Sequence, residues 1–477
     1  MSQDHGISIR WPPWAWWARP LRDVAPRHAV RILSAAASFE ELVYGAGGPP
    51  LDRALQAYQR SRRQMGRNDR AVLAEAVYHL ARNRQVVAAA LPGAVPGDGD
   101  RLLLAFLDRL GGEHPGRIPH LPGGVRPWLE ALDRLAATRA RCVAALEEAW
   151  DAPLKAPSRA VRRALPLLFS VPEWWLESGP WDRVGPAVRE LALLRTPQKL
   201  ILRAQSHRTR REAVIRALRD AGVPARPTAR SPWGIVVEGR HNVLALPVLR
   251  EGDAEVQDEG SQLVVCLCDP KPGERVLDLC AGGGGKTLGL ASAMEGRGVV
   301  VAYDPDPRRL LRARRRARRA GLGNVRVVDR LEDVVSLGPY DLVLVDAPCT
   351  STGTLRRNPD AAWRWSPEDL DRLTALQAQI LDTAAGLVKP GGFLVYATCS
   401  FLEPENRLQI DRFLRAHGQF EPAPPGDRKG HAPLLDIPGS GSGTFRFPGN
   451  LHRYHGDAFF TARLRRRPAP ASGARAS

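Results

Sequence analysis

Arg275-Val276-Leu277-Asp278-Leu279-Cys280-Ala281-Gly282-Gly283-Gly284-Gly285-Lys286-Thr287 is the stretch on which the reading of this chain turns. A short apolar run passes directly into four consecutive glycines, which marks a strand ending in a loop where backbone can approach a ligand closely. Downstream apolar runs at 298–303, 325–328, 341–345 and 393–397 alternate with helical stretches. That alternation predicts βαβ units and an α/β, Rossmann-like parallel sheet buried on both faces. In such a sheet the ligand sits beyond the carboxyl ends of the strands where strand order reverses, so the glycine loop is a candidate cofactor loop. It is not a P-loop, because Cys280 stands where that motif needs its first glycine, and Thr287 takes the place of the third glycine of a dinucleotide fingerprint. A ligand lacking a pyrophosphate remains.

Around the loop, residues 280–286 (Cys280, Ala281, Gly282, Gly283, Gly284, Gly285, Lys286) form the expected cofactor set together with three strand-end acids. Asp304, after the second strand, is placed to take a ribose hydroxyl pair; Asp329, after the third, to meet or flank an adenine amino group; Asp346 follows the fourth. Cys280 itself reads as a small buried hydrophobe. Two more cysteines lie past strand ends, Cys349 in Val345-Asp346-Ala347-Pro348-Cys349 and Cys399 in Tyr396-Ala397-Thr398-Cys399-Ser400.

The 477 residues suit two or three domains. Residues 1–25, with Trp11-Pro12-Pro13-Trp14-Ala15-Trp16-Trp17, are expected to be a flexible tail, and 26–156 an all-α domain, from the helical spacing of leucines and alanines. Residues 157–260 are expected to form a small α+β module with strands at 199–203 and 233–237 and a helix at 209–221. The parallel-sheet domain should span 261–464, ending in a strand at 458–464, and 465–477 should be a disordered basic tail.

The formal net charge is +18, and 63 of the 69 basic residues are arginine, whose planar forks fit phosphates and stack on bases; a polyanionic partner is expected. Six scattered cysteines without a Cys-x-x-Cys pair exclude a disulfide framework and suit a reducing cytoplasm. The sequence has no signal peptide or membrane span, and His452-Arg453-Tyr454-His455 lacks the acids or cysteines a metal site needs, so no metal and no membrane are expected. A monomer is expected. The run of arginines over 308–319 reads equally as an RNA-binding stripe and as a solvated helix face, and Trp363-Arg364-Trp365 equally as a stacking surface and as core.

These motifs in this order resemble the Nop/Sun family of RNA cytosine C5-methyltransferases. The family pattern Cys-Ala-x-Pro-Gly-Gly-Lys-Thr is met by Cys280-Ala281-Gly282-Gly283-Gly284-Gly285-Lys286-Thr287. Asp-x-Pro-Cys-Ser-Gly-x-Gly with Arg-Arg is met by Asp346-Ala347-Pro348-Cys349-Thr350-Ser351-Thr352-Gly353 with Arg356-Arg357, and Thr-Cys-Ser with Glu-Asn by Thr398-Cys399-Ser400 with Glu405-Asn406. Residues 256–263 and 457–464 are similar to the segments that open and close the family's catalytic domain. The N-terminal helices are similar to a NusB-like RNA-binding domain, which points to the branch acting on small-subunit ribosomal RNA.

The resemblance implies S-adenosylmethionine as methyl donor and RNA as substrate, with Cys399 as nucleophile, Cys349 assisting product release and Asp346 as the acid/base group at cytosine N3 and its amino group. The chemistry agrees, because cytosine C5 is too poor a nucleophile to take a methyl group until a thiolate has added to C6. Position alone leaves open which thiol attacks. Three departures stand out: Gly283 replaces the loop proline, Thr350-Ser351 replaces Ser-Gly, and Arg203-Ala204-Gln205 stands where relatives tend to have Arg-Val-Asn. Competing readings are a transfer-RNA methyltransferase, a DNA cytosine methyltransferase, which would attack with Cys349, and a ribosome-assembly protein that binds RNA without catalysis.

Overall fold

A computed structural model describes residues 50–62, 65–91, 104, 126–196, 198–239, 241–424, 444–447 and 456–468. The tryptophan-rich segment, the expected helices before Pro50, His452 and His455, and most of the 422–450 loop and basic tail lie outside the described residues. The chain forms two compact units. Of the described residues, one unit holds those up to Glu177 with Trp181–Arg195 and Asn358–Arg364; the other holds Ser178–Pro180, those from Thr196 to Arg357 and those from Trp365 onward.

The described part of the first unit is helical: α1 (Leu51–Ser61), α2 (Arg67–Ala90), α3 (Arg126–Glu148), α4 (Arg159–Phe169), α5 (Trp174–Ser178) and α6 (Val184–Leu194). Leu51, Leu55, Leu73, Leu80, Trp128 and Leu135 share one buried cluster, as the leucine spacing predicts. Residues 159–194, read from sequence as part of the α+β module, are therefore helices of this unit. Residues 358–364, read as part of the catalytic domain, also belong here: Leu51 N and Arg364 Nε donate to Asp360 Oδ2 at 3.2 and 2.7 Å, and the Arg84 guanidinium lies 5.4 Å over the Trp363 ring. Periodicity could not reveal either, because it reports local structure and not which core a segment joins.

The second unit opens with an antiparallel sheet of order β2-β3-β1-β4, from β1 (Leu200–Ala204), β2 (Ala225–Pro227), β3 (Gly234–Val237) and β4 (Ala254–Val256), with α7 (Arg211–Asp220) and the short α8 (Pro247–Arg250). After α9 (Glu259–Cys268) comes the large sheet. Its strands are β5 (Arg275–Asp278), β6 (Val299–Tyr303), β7 (Val325–Val328), β8 (Tyr340–Asp346), β9 (Val388–Thr398), β10 (Phe420–Pro422), β11 (Thr444–Phe447) and β12 (Phe459–Arg466). The order is β10-β12-β9-β8-β5-β6-β7 with β11 on β12. Strands β5 to β9 are parallel and β12 is antiparallel to β9. Alternate residues face opposite cores: Val276, Leu342, Leu344 and Val395 fill one, Leu277, Val343, Val345 and Leu394 the other.

Connecting helices are α10 (Gly285–Ala293), α11 (Pro307–Ala320), α12 (Leu331–Ser336), α13 (Pro367–Leu387) and α14 (Arg407–Ala416). Their ends follow local chemistry. Asp306 caps α11, Pro307 opens it and Gly321 closes it in the left-handed conformation; Ser366 and Asp369 form a capping box at α13. Strand order reverses between β5 and β8, and the carboxyl ends of those two strands carry the glycine loop and the Cys349 loop. The fold thus positions one site.

Candidate active site

The glycine loop is held by backbone first. Leu279 N donates to Leu344 O at 2.9 Å and Ala281 N to Tyr303 O at 2.8 Å, which extends strand pairing into the loop. Gly282 and Gly284 have φ of 54° and 80°, and a Cβ on Gly284 would lie 2.8 Å from the Ala313 Cβ, so glycine is required there. The Asp304 carboxylate then fixes the loop, accepting from Gly282 N at 2.9 Å through one oxygen and from Asp306 N at 2.9 Å through the other. Arg316 Nη1 donates to Gly283 O at 2.7 Å. Below the loop Thr287 donates to Asp278 Oδ2 at 2.7 Å, and burial pushes the Asp278 carboxyl up to about 7.

Beyond these strand ends lies a cavity of about 1120 Å³, lined within the second unit by Cys280, Ala281, Gly282, Gly283, Gly285, Lys286, Asp304, Asp346 and Cys349, and also by Gln257, Ser351, Arg357 and Trp365. The residues expected from sequence therefore converge, with three qualifications, of which the first is that Cys399 is not itself among the residues lining the cavity and meets it through Cys349, whose sulfur lies 3.5 Å away. Gly284 backs onto α11 behind the loop, and Asp329 is exposed and is not among the residues lining the cavity. An acid after a strand is as often a turn residue as a ligand, and the third strand lies one place further from the reversal point. Trp363 and Trp365 part company: Trp365 lines the cavity, whereas Trp363 packs in the first unit. Of the arginine run, Arg316 and Arg319 pair with the buried Glu255, so part of that face is a structural contact.

Opposite the glycine loop, Cys349 Sγ and Cys399 Sγ lie 3.5 Å apart, and Ser351 Oγ is 3.3 Å from Cys399 Sγ. Lys286 Nζ donates to Asp346 Oδ2 at 2.7 Å and to Ser261 Oγ at 3.0 Å. Burial lowers the Lys286 pKa, yet the Asp346 carboxylate outweighs it and leaves the ammonium above its ordinary value. The two thiols are driven apart. The hydrogen bond from Cys349 holds Cys399 below the usual thiol range despite burial, with help from Ser351; donating that bond, together with burial, pushes Cys349 well up. Cys280 is raised by burial alone in the main, as an inert structural thiol would be.

A buried carboxylate, Glu405, joins the loops. It accepts from Thr350 N at 2.9 Å, Thr350 Oγ1 at 2.5 Å and Gln377 Nε2 at 3.0 Å, while Tyr396 Oη donates to its carbonyl at 2.7 Å. Asn406 accepts from Thr398 Oγ1 at 2.6 Å and donates to Ser400 O at 3.0 Å. Sequence reasoning had Glu405-Asn406 only as part of a pattern and missed Ser351, Gln377 and Gln257 as site residues. No local signal marks a glutamine on a helix as the support of a cysteine loop.

A parallel sheet with a glycine loop and a ribose-type acid at its reversal point, faced by two thiols, defines a methyltransferase of the Rossmann-like class. The family described as 16S rRNA methyltransferase RsmB/F matches residues 265–465. The chain is 33% identical over 314 residues to the ribosomal RNA small subunit methyltransferase B of Xylella fastidiosa, covering 64% of this chain and 72% of that one. Among solved structures it resembles the crystal structure of PH0851, at 24% identity and a TM-score of 0.65 over 93% of this chain and 99% of that one. It also resembles a methyltransferase homolog protein from Pyrococcus horikoshii, at 25% identity and a TM-score of 0.55 over 65% and 100%. The chain belongs to the RsmB/F family of RNA methyltransferases.

S-adenosylmethionine, the donor of that class, suits the residues present. Among the described residues a Cβ at Gly282 would meet no atom within 4 Å; Asp304 accepts one hydrogen bond through each oxygen, with Arg309 Nη1 3.7 Å from Oδ2, and so keeps lone pairs for a ligand; and the Gln257 Oε1 atom in the wall is buried with no partner among the described residues. Among the described residues no group of three or more His, Cys, Asp or Glu side chains could hold a metal, and no helix is long and apolar enough to cross a membrane.

Proposed function

We propose that this protein methylates C5 of a cytosine in RNA, in small-subunit ribosomal RNA, through a covalent bond between Cys399 and C6 of the base. The observation that carries the reading is the pair of sulfurs 3.5 Å apart whose acidities diverge, Cys399 lowered and Cys349 raised. Two thiols in contact cannot both ionise, and the one that does becomes the nucleophile.

S-adenosylmethionine supplies the methyl group. The protein supplies the rest. Cys399 as thiolate adds to C6, which moves electron density to C5. Asp346, fixed through one oxygen by Lys286, accepts through the other from the cytosine amino group, and from N3 once that nitrogen has taken up a proton as density builds on the ring. The C5 proton is then lost to water, its bonding pair re-forms the C5–C6 double bond, and the C6–S pair leaves with the Cys399 sulfur; the S–H of Cys349 stabilises the departing thiolate. Gly282, Asp304 and Gln257 bind and orient the donor. A DNA-type reaction with Cys349 attacking would place the charge on the thiol that is harder to ionise.

The helical unit we take as an RNA adaptor, in keeping with the NusB-like resemblance and the +18 charge. Mapping 5-methylcytosine in total RNA from cells with and without the gene tests the reading. A single cytosine losing its mark in small-subunit ribosomal RNA is expected; loss confined to transfer RNA, or no loss, would refute it.

A further inference from the structure

Ser351 occupies backbone that glycine would take without strain. Its φ is 57°, and in the pattern this chain resembles the position is glycine. Other contacts fix the loop there: Thr354 N and Oγ1 donate to Ser351 O at 3.0 and 2.8 Å, and Gly353 N donates to Cys399 O at 2.9 Å. What serine adds is a hydroxyl, which accepts from Cys399 Sγ at 3.3 Å while donating to Cys349 O at 3.5 Å.

The charged groups facing Cys399 are paired with one another and act on it only through space, Arg357 favouring the thiolate and Asp346 opposing it. Lys286 on α10 is paired with Asp346 on β8 at 2.7 Å, and Arg357 with Asp457 at 2.6 Å. Glu405 lies beyond Cys349 and is consumed by Thr350 and Gln377. The direct hydrogen bonds to a thiolate at Cys399 therefore come from neutral donors. Among the described residues these are the S–H of Cys349, a weak donor, and the hydroxyl of Ser351.

We propose that Ser351 is a catalytic residue of this chain, whose hydroxyl donates a hydrogen bond to the Cys399 thiolate, both before attack on the base and when the sulfur leaves C6. The assignment rests on Cys399 as nucleophile. When Cys399 carries its proton the hydroxyl turns to Cys349 O; when the proton leaves to solvent the hydroxyl turns to sulfur. Serine in a left-handed position is the strain accepted for a donor at that point.

The test is the pH dependence of alkylation of Cys399 by iodoacetamide in the full-length protein, resolved by peptide mass spectrometry, for wild type, Ser351→Gly and Ser351→Ala. Loss of a donor to the charged form should raise the midpoint by about one pH unit in both variants. Because a less stabilised thiolate is also more nucleophilic, alkylation should run about threefold slower below the midpoint and about threefold faster above it. An unchanged midpoint in both variants, or a shift in Ser351→Ala alone, would overturn the proposal, the latter assigning the effect to backbone strain. If Ser351→Ala does not fold, Ser351→Gly, which suits the left-handed backbone, carries the test. No RNA enters this measurement, so its failure leaves the covalent reading standing, whereas an RNA adduct found on Cys349 would sink that reading whatever the alkylation profile.

Discussion

Two loops face each other across the cavity, and a buried carboxylate anchors each. Asp304 accepts from Gly282 N of the glycine loop through one oxygen and from Asp306 N in its own turn through the other, and lines the cavity; the Glu405 carboxylate accepts twice from Thr350 of the Cys349 loop and once from Gln377 on α13, and is wholly buried. One anchor keeps capacity for a ligand and the other has none left. The glycine-loop half of the site is thus built of backbone and one shared acid, whereas the thiol half is built of side chains that depend on a structural acid. Mutations should separate the two.

The largest effect should come from Glu405→Ala. It strands the Thr350 N–H and one Gln377 N–H in the interior and leaves the Thr350 hydroxyl with only Ser400 Oγ at 3.2 Å; at about 1–3 kcal/mol for each group left unsatisfied, roughly 4 kcal/mol of stability should be lost in denaturant unfolding. Donor affinity measured at a temperature where the variant is folded should stay near wild type. A loss below 1 kcal/mol would mean that the thiol loop is held by backbone as the glycine loop is.

Asp278→Asn comes next and depends on pH. Burial raises the Asp278 pKa to about 7, so between about pH 4, where the unfolded carboxyl titrates, and pH 7 the folded state binds the extra proton. Stability then falls as pH rises through that window, and the neutral asparagine should recover on the order of 2–3 kcal/mol at pH 8 while changing little at pH 4. Chemical denaturation at the two pH values checks this; equal effects at both would remove the titration argument.

Asp304→Ala should weaken S-adenosylmethionine binding by roughly 1.5–3 kcal/mol, the scale of a hydrogen bond to a charged group, with a smaller change in stability. Calorimetry giving unchanged affinity would reduce Asp304 to an anchor of the Glu405 kind.

The comparison also explains what could be read from the sequence. That the glycine loop and Asp304 would meet was legible because the parts are local: a strand, a glycine loop and an acid at the next strand end occur at fixed offsets. β7 falls on 325–328 as expected, whereas β9, expected over 393–397, runs from Val388 to Thr398 and carries Lys389-Pro390-Gly391-Gly392 through a break in register. Proline and glycine punctuate a pattern, and only pairing with β8 shows that they sit in a strand. Asp329 had the same local signature as Asp304 but lies outside the cavity lining. In the thiol half Glu405 is 55 residues from Thr350 and 28 from Gln377, so the network exists only once β8, β9 and α13 are packed. The same is true of the two sulfurs, which are 50 residues apart in sequence.

The most direct measurement takes Cys349→Ser and Cys399→Ser variants, incubates each with substrate RNA and S-adenosylmethionine, and resolves the products on a denaturing gel. With Cys399 attacking and Cys349 easing release, Cys349→Ser should accumulate a denaturant-resistant protein–RNA band, and Cys399→Ser should give no band and no methylation, because a serine hydroxyl is hardly ionised at neutral pH. A band in the Cys399 variant and none in the Cys349 variant would contradict this account and make Cys349 the nucleophile.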